Sequence, residues 1–284
     1  MSVAAEHISS VFQKLERDLV KLSSKQTAAS VHNFRTGASR LQTLFQKLLP
    51  EGDRNQKKLL KMLSRMRKRA GKVRDLDVQL AALRSLKVSQ EPRRKTQLMH
   101  ALIELRAENE KKLRKVLTKD EVREIRKRLR RARKDFRLEQ IRDPLKTARL
   151  MLAQVARTEG PLTAEQLHRY RIVTKRARYV AELAPKSPDA EQLIAQLKRA
   201  QDALGDWHDW LNLEQTAAQR LGDVHQSSLV AVLHNLAGTK FRKAVAVLPS
   251  ASPMDTPAAK RGAGQAATPD AQDRSAGIDA SSAA

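Results

Sequence analysis

The chain contains no cysteine, so it has neither a disulfide framework nor thiolate chemistry, and a reducing interior suits it. Aromatic residues make up 3% of its 284 residues, which leaves few platforms on which the bases of a single-stranded nucleic acid could stack. Glycine is sparse, and no Gly-rich phosphate loop is among its occurrences. Long apolar runs are missing as well. No window of about 18 uncharged apolar residues exists, so no membrane span is expected. The opening residues, MSVAAEHISSVFQKLERDL, lack a basic leader followed by an apolar block and a cleavage site, and no signal peptide is expected. A cytoplasmic location follows as the expectation.

What is present is Ala, Leu, Arg, Lys, Gln and Glu, a composition that reads as all-α. Charge is the strongest signal: 56 Lys and Arg stand against 31 Asp and Glu, a formal +25. Residues 249–284 hold three basic and four acidic residues, so the remainder has 53 basic against 27 acidic, or +26. Self-repulsion on that scale destabilises a compact domain unless something anionic relieves it. DNA, RNA, acidic lipid and inorganic polyphosphate all qualify as partners.

Apolar periodicity predicts a first helix over about 4–22, carried by Ile8, Val11, Phe12, Leu15, Leu19 and Leu22. A second over 27–49 stops at Pro50 and Gly52, and a third over 55–70 is broken by Gly71. Helices over 73–86 and 92–117 follow. A basic connecting helix over 118–140 includes VREIRKRLRRARKDFR, with nine Lys or Arg in sixteen residues. A solvated face is the first reading of those charges and extra anion-binding surface the second. The second part opens at Asp143 and Pro144, runs to about 157 and breaks at Gly160 and Pro161. Thr163 with Gln166 resembles a capping box that starts a helix ending before Pro185. Ser187 and Pro188 open another, ended by Gly205, and helices over 207–221 and 226–247 complete the order. Residues 249–284 have too few large apolar side chains to offset ordering entropy, and a disordered tail is expected.

Two stretches organise the rest: HRYRIVTKRARY, His168 to Tyr179, and HNFRTGASRLQT, His32 to Thr43. Wound at roughly 100° per residue, the first places His168, Arg171, Lys175 and Arg178 within a wedge of roughly 80°, with apolar residues opposite. In the second, His32, Arg35, Ser39 and Gln42 take the matching places, and Arg40 matches Arg176. A later pair matches too: GKVRDLDV from Gly71 and GDWHDWLN from Gly205 align Arg74 with His208 and Asp75 with Asp209. The first pair is offset by 136 residues (168 less 32) and the second by 134 (205 less 71), so order and spacing repeat together, as in an internal duplication.

These motifs, an H-x-x-R-x-x-x-[basic]-[basic] helix and a G-x-x-R-D-L-D-V element, repeated as H-x-x-R-x-x-x-K-R-x-R-Y and L-G-D-x-H-D, resemble the CHAD domain, an α-helical family named for its histidines. The resemblance covers roughly residues 1–248. It implies two pseudo-symmetric antiparallel four-helix bundles, one in about 1–117 and one in about 142–248, joined by the connecting helix. It further implies a basic cavity or groove between them that binds inorganic polyphosphate, with no catalysis firmly attributed; the leading reading is a non-catalytic binding protein on polyphosphate granules. Carried over residue by residue, His32, Arg35, Arg40 and Arg74 of the first half, with His168, Arg171, Lys175, Arg176 and Arg178 of the second, would line the anion site. Ser39 and Gln42 stand where the family is usually basic, so the second half is expected to dominate.

The residue types suit a phosphate chain. Polyphosphate has no bases to read, and Arg, Lys and protonated His offer donors without acceptors. Arg grips phosphate through a bidentate fork and Lys as a mobile point charge. Crowded cations should lower the pKa of His168 and bound phosphate raise it, making binding pH-sensitive; salt should weaken it. No cofactor and no metal are expected. Asp75, Asp77, Asp206 and Asp209 read as residues that bond helix termini or orient arginines. His208 with Asp209 is similar to the HD pair of metal phosphohydrolases, yet His225 and His234 lack acidic partners at ligand spacing. A basic protein holding nucleic acid non-specifically, a metal-dependent polyphosphate or nucleotide phosphohydrolase, and a scaffold for acidic proteins are the rival readings.

Overall fold

Polar caps set where the helices begin. Thr27, Asp53, Thr118, Thr163 and Ser187 each accept, through a side-chain oxygen, the backbone N–H three residues on, satisfying an otherwise orphaned donor. At Thr163 the Gln166 side chain returns the bond, completing the expected capping box. Asp143 Oδ1 accepts from the N–H groups of Leu145 and Lys146 in the same way.

The computed structural model describes residues 3–49, 52–87, 91–136, 142–156 and 162–248, and among them every regular element is helical. In order these are α1 (Val3–Ser24), α2 (Ala28–Lys47), α3 (Arg54–Ser85), α4 (Pro92–Arg114), α5 (Lys119–Lys134), α6 (Pro144–Ala156), α7 (Ala164–Ala181), α8 (Pro188–Leu221) and α9 (Ser228–Val247). None is long and apolar enough to cross a membrane. The stop expected at Pro50, the break at Gly160 and Pro161 and the tail from 249 lie outside the described residues.

Two expected breaks are absent. Gly71 and Gly205 lie inside continuous helices of 32 and 34 residues. A lone glycine costs a helix about 1 kcal/mol, and the apolar stripe runs on across both positions. Ala70, Val73, Leu76, Leu80 and Leu83 are buried along α3, as are Leu204, Trp207, Leu213 and Ala217 along α8. Burying that stripe outweighs the glycine. Trp207 therefore sits mid-helix rather than at a start, edge-to-face on Phe241 at 5.9 Å.

Helices α1 to α4 each pack on the next, as do α6 to α9, while α5 lies across α1 and α3. The two sets meet where α2 packs on α7 and where α3 and α4 pack on α8. The core is shared between them. One cluster joins α1, α2, α5 and the first part of α3 to Val180 and Ala181 of α7, and another joins Leu80 and Leu83 of α3 and Leu98 of α4 to Leu213 of α8 and Leu233 of α9. A third holds Leu167, Tyr170, Leu204, Trp207 and Ala244. The long helices α3 and α8 thus pass from one cluster to another along their length, and the polar residues at their midpoints face neither.

One link crosses between the sets at a helix start. Glu91, at φ 53° in the left-handed region that L side chains rarely adopt, accepts the Ser227 hydroxyl at 3.0 Å and the Leu229 N–H at 3.3 Å. Ser227 does not cap α9 with its own side chain, so Glu91 takes that part from 136 residues away.

Candidate anion-binding cleft

The buried face of α7, with Leu167, Tyr170, Thr174, Ala177 and Val180, fixes the rotation of that helix. Its other face then presents His168, Arg171, Lys175 and Arg178 toward α2, α3 and α8. Facing them are His32 and Arg35 of α2, Arg67, Arg74 and Asp75 of α3, and His208 and Asp209 of α8.

Arg35 stands at the centre of this group. Its charge acts on His32, Arg67, Arg171, Lys175, His208 and Asp209 alike. Its Nη1 donates to Asp75 Oδ1 at 3.1 Å, and its guanidinium lies beside Gly71 of α3, where a Cβ would meet Nε in ordinary contact at 3.6 Å. The first half therefore supplies the residue that touches most of the others electrostatically.

The electrostatics show how crowded the cations are. Burial, then Arg35, Arg171, Arg67 and Arg178, lower the Lys175 ammonium to about 8. Burial, Arg171, His168 and Arg35 take His208 to about 3. Loss of water and the charges of Arg74, Lys175 and Arg35 lower His32 in the same direction. At both histidines loss of water is the larger cause, and the neighbouring cations add to it. Asp209 is pushed up by burial, against the pull of Arg171.

Three of the residues expected in the site lie at the edge of this group or beyond it. Arg40 and Arg178 flank Glu182, whose two oxygens take Arg40 Nη2 at 3.1 Å and Arg178 Nη1 at 2.9 Å. Arg178 Nε also donates to Gln201 Oε1 at 2.9 Å. Both guanidinium groups, with Lys175, lie over the buried Tyr179 ring at 5.2, 5.5 and 5.9 Å from its centroid for Arg40, Arg178 and Lys175 respectively. Arg176 is exposed on another side of α7, in a groove with Lys47 and Arg169, though its charge still reaches Arg67. His32, Arg35, Arg74, His168, Arg171 and Lys175 come together.

Arg67 was not among the expected residues. A helix broken at Gly71 separates it from the RD element, whereas in a continuous α3 residues 67, 71 and 74 fall at i, i+4 and i+7 on one face. Its Nε is buried with no hydrogen-bond partner, as are Arg40 Nε and His208 Nδ1. Gln42, at a position usually basic in this pattern, is buried and reaches the Leu60 carbonyl at 3.5 Å.

The aspartates orient basic side chains rather than helix ends: Asp75 meets Arg35, Asp77 meets Arg106 at 2.7 Å, and Asp206 meets Lys240 at 2.8 Å. His234 has an acidic neighbour after all, Glu214 at 2.9 Å across to α8, and His225 lies in the turn before α9. Among the described residues no three His, Asp or Glu side chains converge as a metal ion requires. The cluster offers both forked and point-charge donors, the two kinds that hold adjacent negative charges.

A family model described as the CHAD domain matches residues 3–221. The crystal structure of the CHAD domain from the plant Ricinus communis is similar in fold, with a TM-score of 0.59 at 19% sequence identity over 85% of this chain and 84% of that one. No curated protein matches the chain.

Proposed function

The chain belongs to the CHAD domain family, and on that premise we propose that it binds inorganic polyphosphate without converting it, holding a strand of linked phosphates in the cleft between α2, α3, α7 and α8. Polyphosphate granules would be its place of action. The observation that carries this reading is the gathering of Arg67, Arg171, Lys175 and His208 around Arg35, with the Nε donor of Arg67 and the Nδ1 of His208 buried and unpartnered. A buried donor without an acceptor is costly, and cations held this close repel; a polyanion relieves both.

A binding role rather than catalysis is supported by the carboxylates. Asp75 is committed to Arg35, and Asp209 lies under the charge of Arg171, so neither is placed to hold Mg²⁺ with a third ligand. The two halves are also read as copies. At the 136-residue offset Val31 and Leu167, Phe34 and Tyr170, and Leu44 and Val180 are all buried, and at 134 so are Met66 and Ala200, and Ala70 and Leu204.

Competition binding at physiological salt tests the ligand. Long-chain polyphosphate should resist displacement by duplex DNA at equal phosphate concentration; displacement would move the assignment to nucleic acid. Incubation with polyphosphate, Mg²⁺ and ADP should release neither phosphate nor ATP, and turnover abolished by Asp209→Ala would make the protein an enzyme.

A further inference from the structure

Away from the cleft, α5 carries nine Lys and Arg against three Asp and Glu in sixteen residues. Ile125, Leu129 and Ala132 bury its other side, in the cluster shared with α1 and α3, so its basic face is held in a fixed direction. Along that face Arg123, Arg126, Lys127, Arg130, Arg131 and Lys134 line an open groove of about 430 Å³, and among the described residues no other side chain enters its wall. They follow one stripe that advances about 16 Å along the helix at 1.5 Å per residue. We infer that this groove is a second site for polyphosphate, separate from the cleft; the identity of its ligand rests on the function proposed above.

Glu16 of α1 keeps the stripe in order. Its Oε1 accepts Arg126 Nε at 3.0 Å, Arg130 Nε at 3.0 Å and Arg130 Nη2 at 2.7 Å. Partial burial opposes its ionisation, but the bonds from Arg130 and then Arg126 prevail and hold its carboxyl below the usual range. Two guanidinium groups offer ten N–H donors, and Glu16 takes three of them. Two further pairs in the groove are loose and exposed: Arg123 to Asp120 at 3.5 Å and Arg131 to Asp135 at 3.6 Å. Such pairs contribute little and exchange readily for phosphate.

The shape favours this polyanion over nucleic acid. Successive phosphates of polyphosphate are joined through a single oxygen, whereas a sugar separates those of DNA and RNA. Six cations on one straight stripe match the denser line of charge, and among the described residues no aromatic side chain lines the groove for bases to stack on. A polymer long enough to occupy cleft and groove together gains by effective concentration, and two polymers could be bridged by one protein.

Long-chain polyphosphate and tripolyphosphate, titrated into Lys127→Glu with Arg131→Glu, test the inference. Long-chain affinity should fall by about tenfold or more, with tripolyphosphate affinity at the cleft and thermal stability unchanged. The milder Lys127→Ala with Arg131→Ala should fall in the same direction by less. Unchanged long-chain affinity in both variants overturns the second site. So does duplex DNA that displaces long polyphosphate from a protein carrying Arg171→Ala and Lys175→Ala, since the groove would then belong to nucleic acid. If that cleft variant loses no affinity while the groove variant does, the cleft assignment fails and the groove stands.

Discussion

The imidazoles of His168 on α7 and His208 on α8 face each other with ring centroids 5.2 Å apart, tilted by 49°. With its pKa near 3, His208 is neutral at physiological pH and offers one donor and one acceptor nitrogen rather than a charge. His208 therefore adds no positive charge to the cleft.

Lys175 makes binding depend on pH. Its folded pKa of about 8 lies below the ordinary 10.5, so between those values the unfolded chain binds more protons and stability should rise with pH across that window. Anion binding works the other way. A bound phosphate raises the Lys175 pKa, so calorimetry near pH 8 should register proton uptake, and affinity should drop as pH climbs past 8. Lys175→Met should remove the proton uptake; uptake of the same size in the variant would exclude Lys175 as its source.

Position within the cleft should rank the arginines. Arg171→Ala with Lys175→Ala should lower polyphosphate affinity by well over tenfold, because several charge-assisted bonds of about 1.5–3 kcal/mol each vanish together. Arg35→Ala should cost on the order of tenfold by the same reasoning, and Arg176→Ala, on the exposed side, much less. An Arg176→Ala loss as large as that of Arg35→Ala would mean that the ligand follows the outer face of α7.

Arg67 separates binding from stability. Replacing it with Met keeps the apolar stem and removes a cation crowded by Arg35 and Arg176. Thermal unfolding without ligand should shift upward or stay, while polyphosphate affinity falls about tenfold, as for loss of one charge-assisted contact. A drop in both would give Arg67 a structural part instead.

Gly205 offers a test of the space itself. A Cβ there meets nothing within 4 Å, and the residue lies in mid-helix beside His208. Gly205→Ala should raise stability by up to about 1 kcal/mol through helix propensity. If phosphates run over this opening, affinity should fall although the protein is more stable. Destabilisation by this substitution would show that the opening is filled in solution.

Helix order and the facing cations were legible because both are local. Caps at Thr118, Thr163 and Ser187 and the wedge holding His168, Arg171 and Lys175 follow from spacing along one helix. The continuity of α3 and α8 was not, since a glycine reads as a break until the buried stripe on either side, Ala70 with Val73 and Leu204 with Trp207, is seen to pack. Losing that continuity also hid Arg67. Glu182, which ties Arg40 to Arg178, escaped notice because it joins residues on two helices far apart in sequence.

The carboxylate of Glu91 completes the start of a helix that belongs to the other end of the chain, and apolar residues of α3, α4, α8 and α9 fill one common interior. Cleavage in the segment between α5 and α6 should consequently release no free-standing module. The two pieces would remain interlocked, and either one made alone would expose the surface that its complement covers.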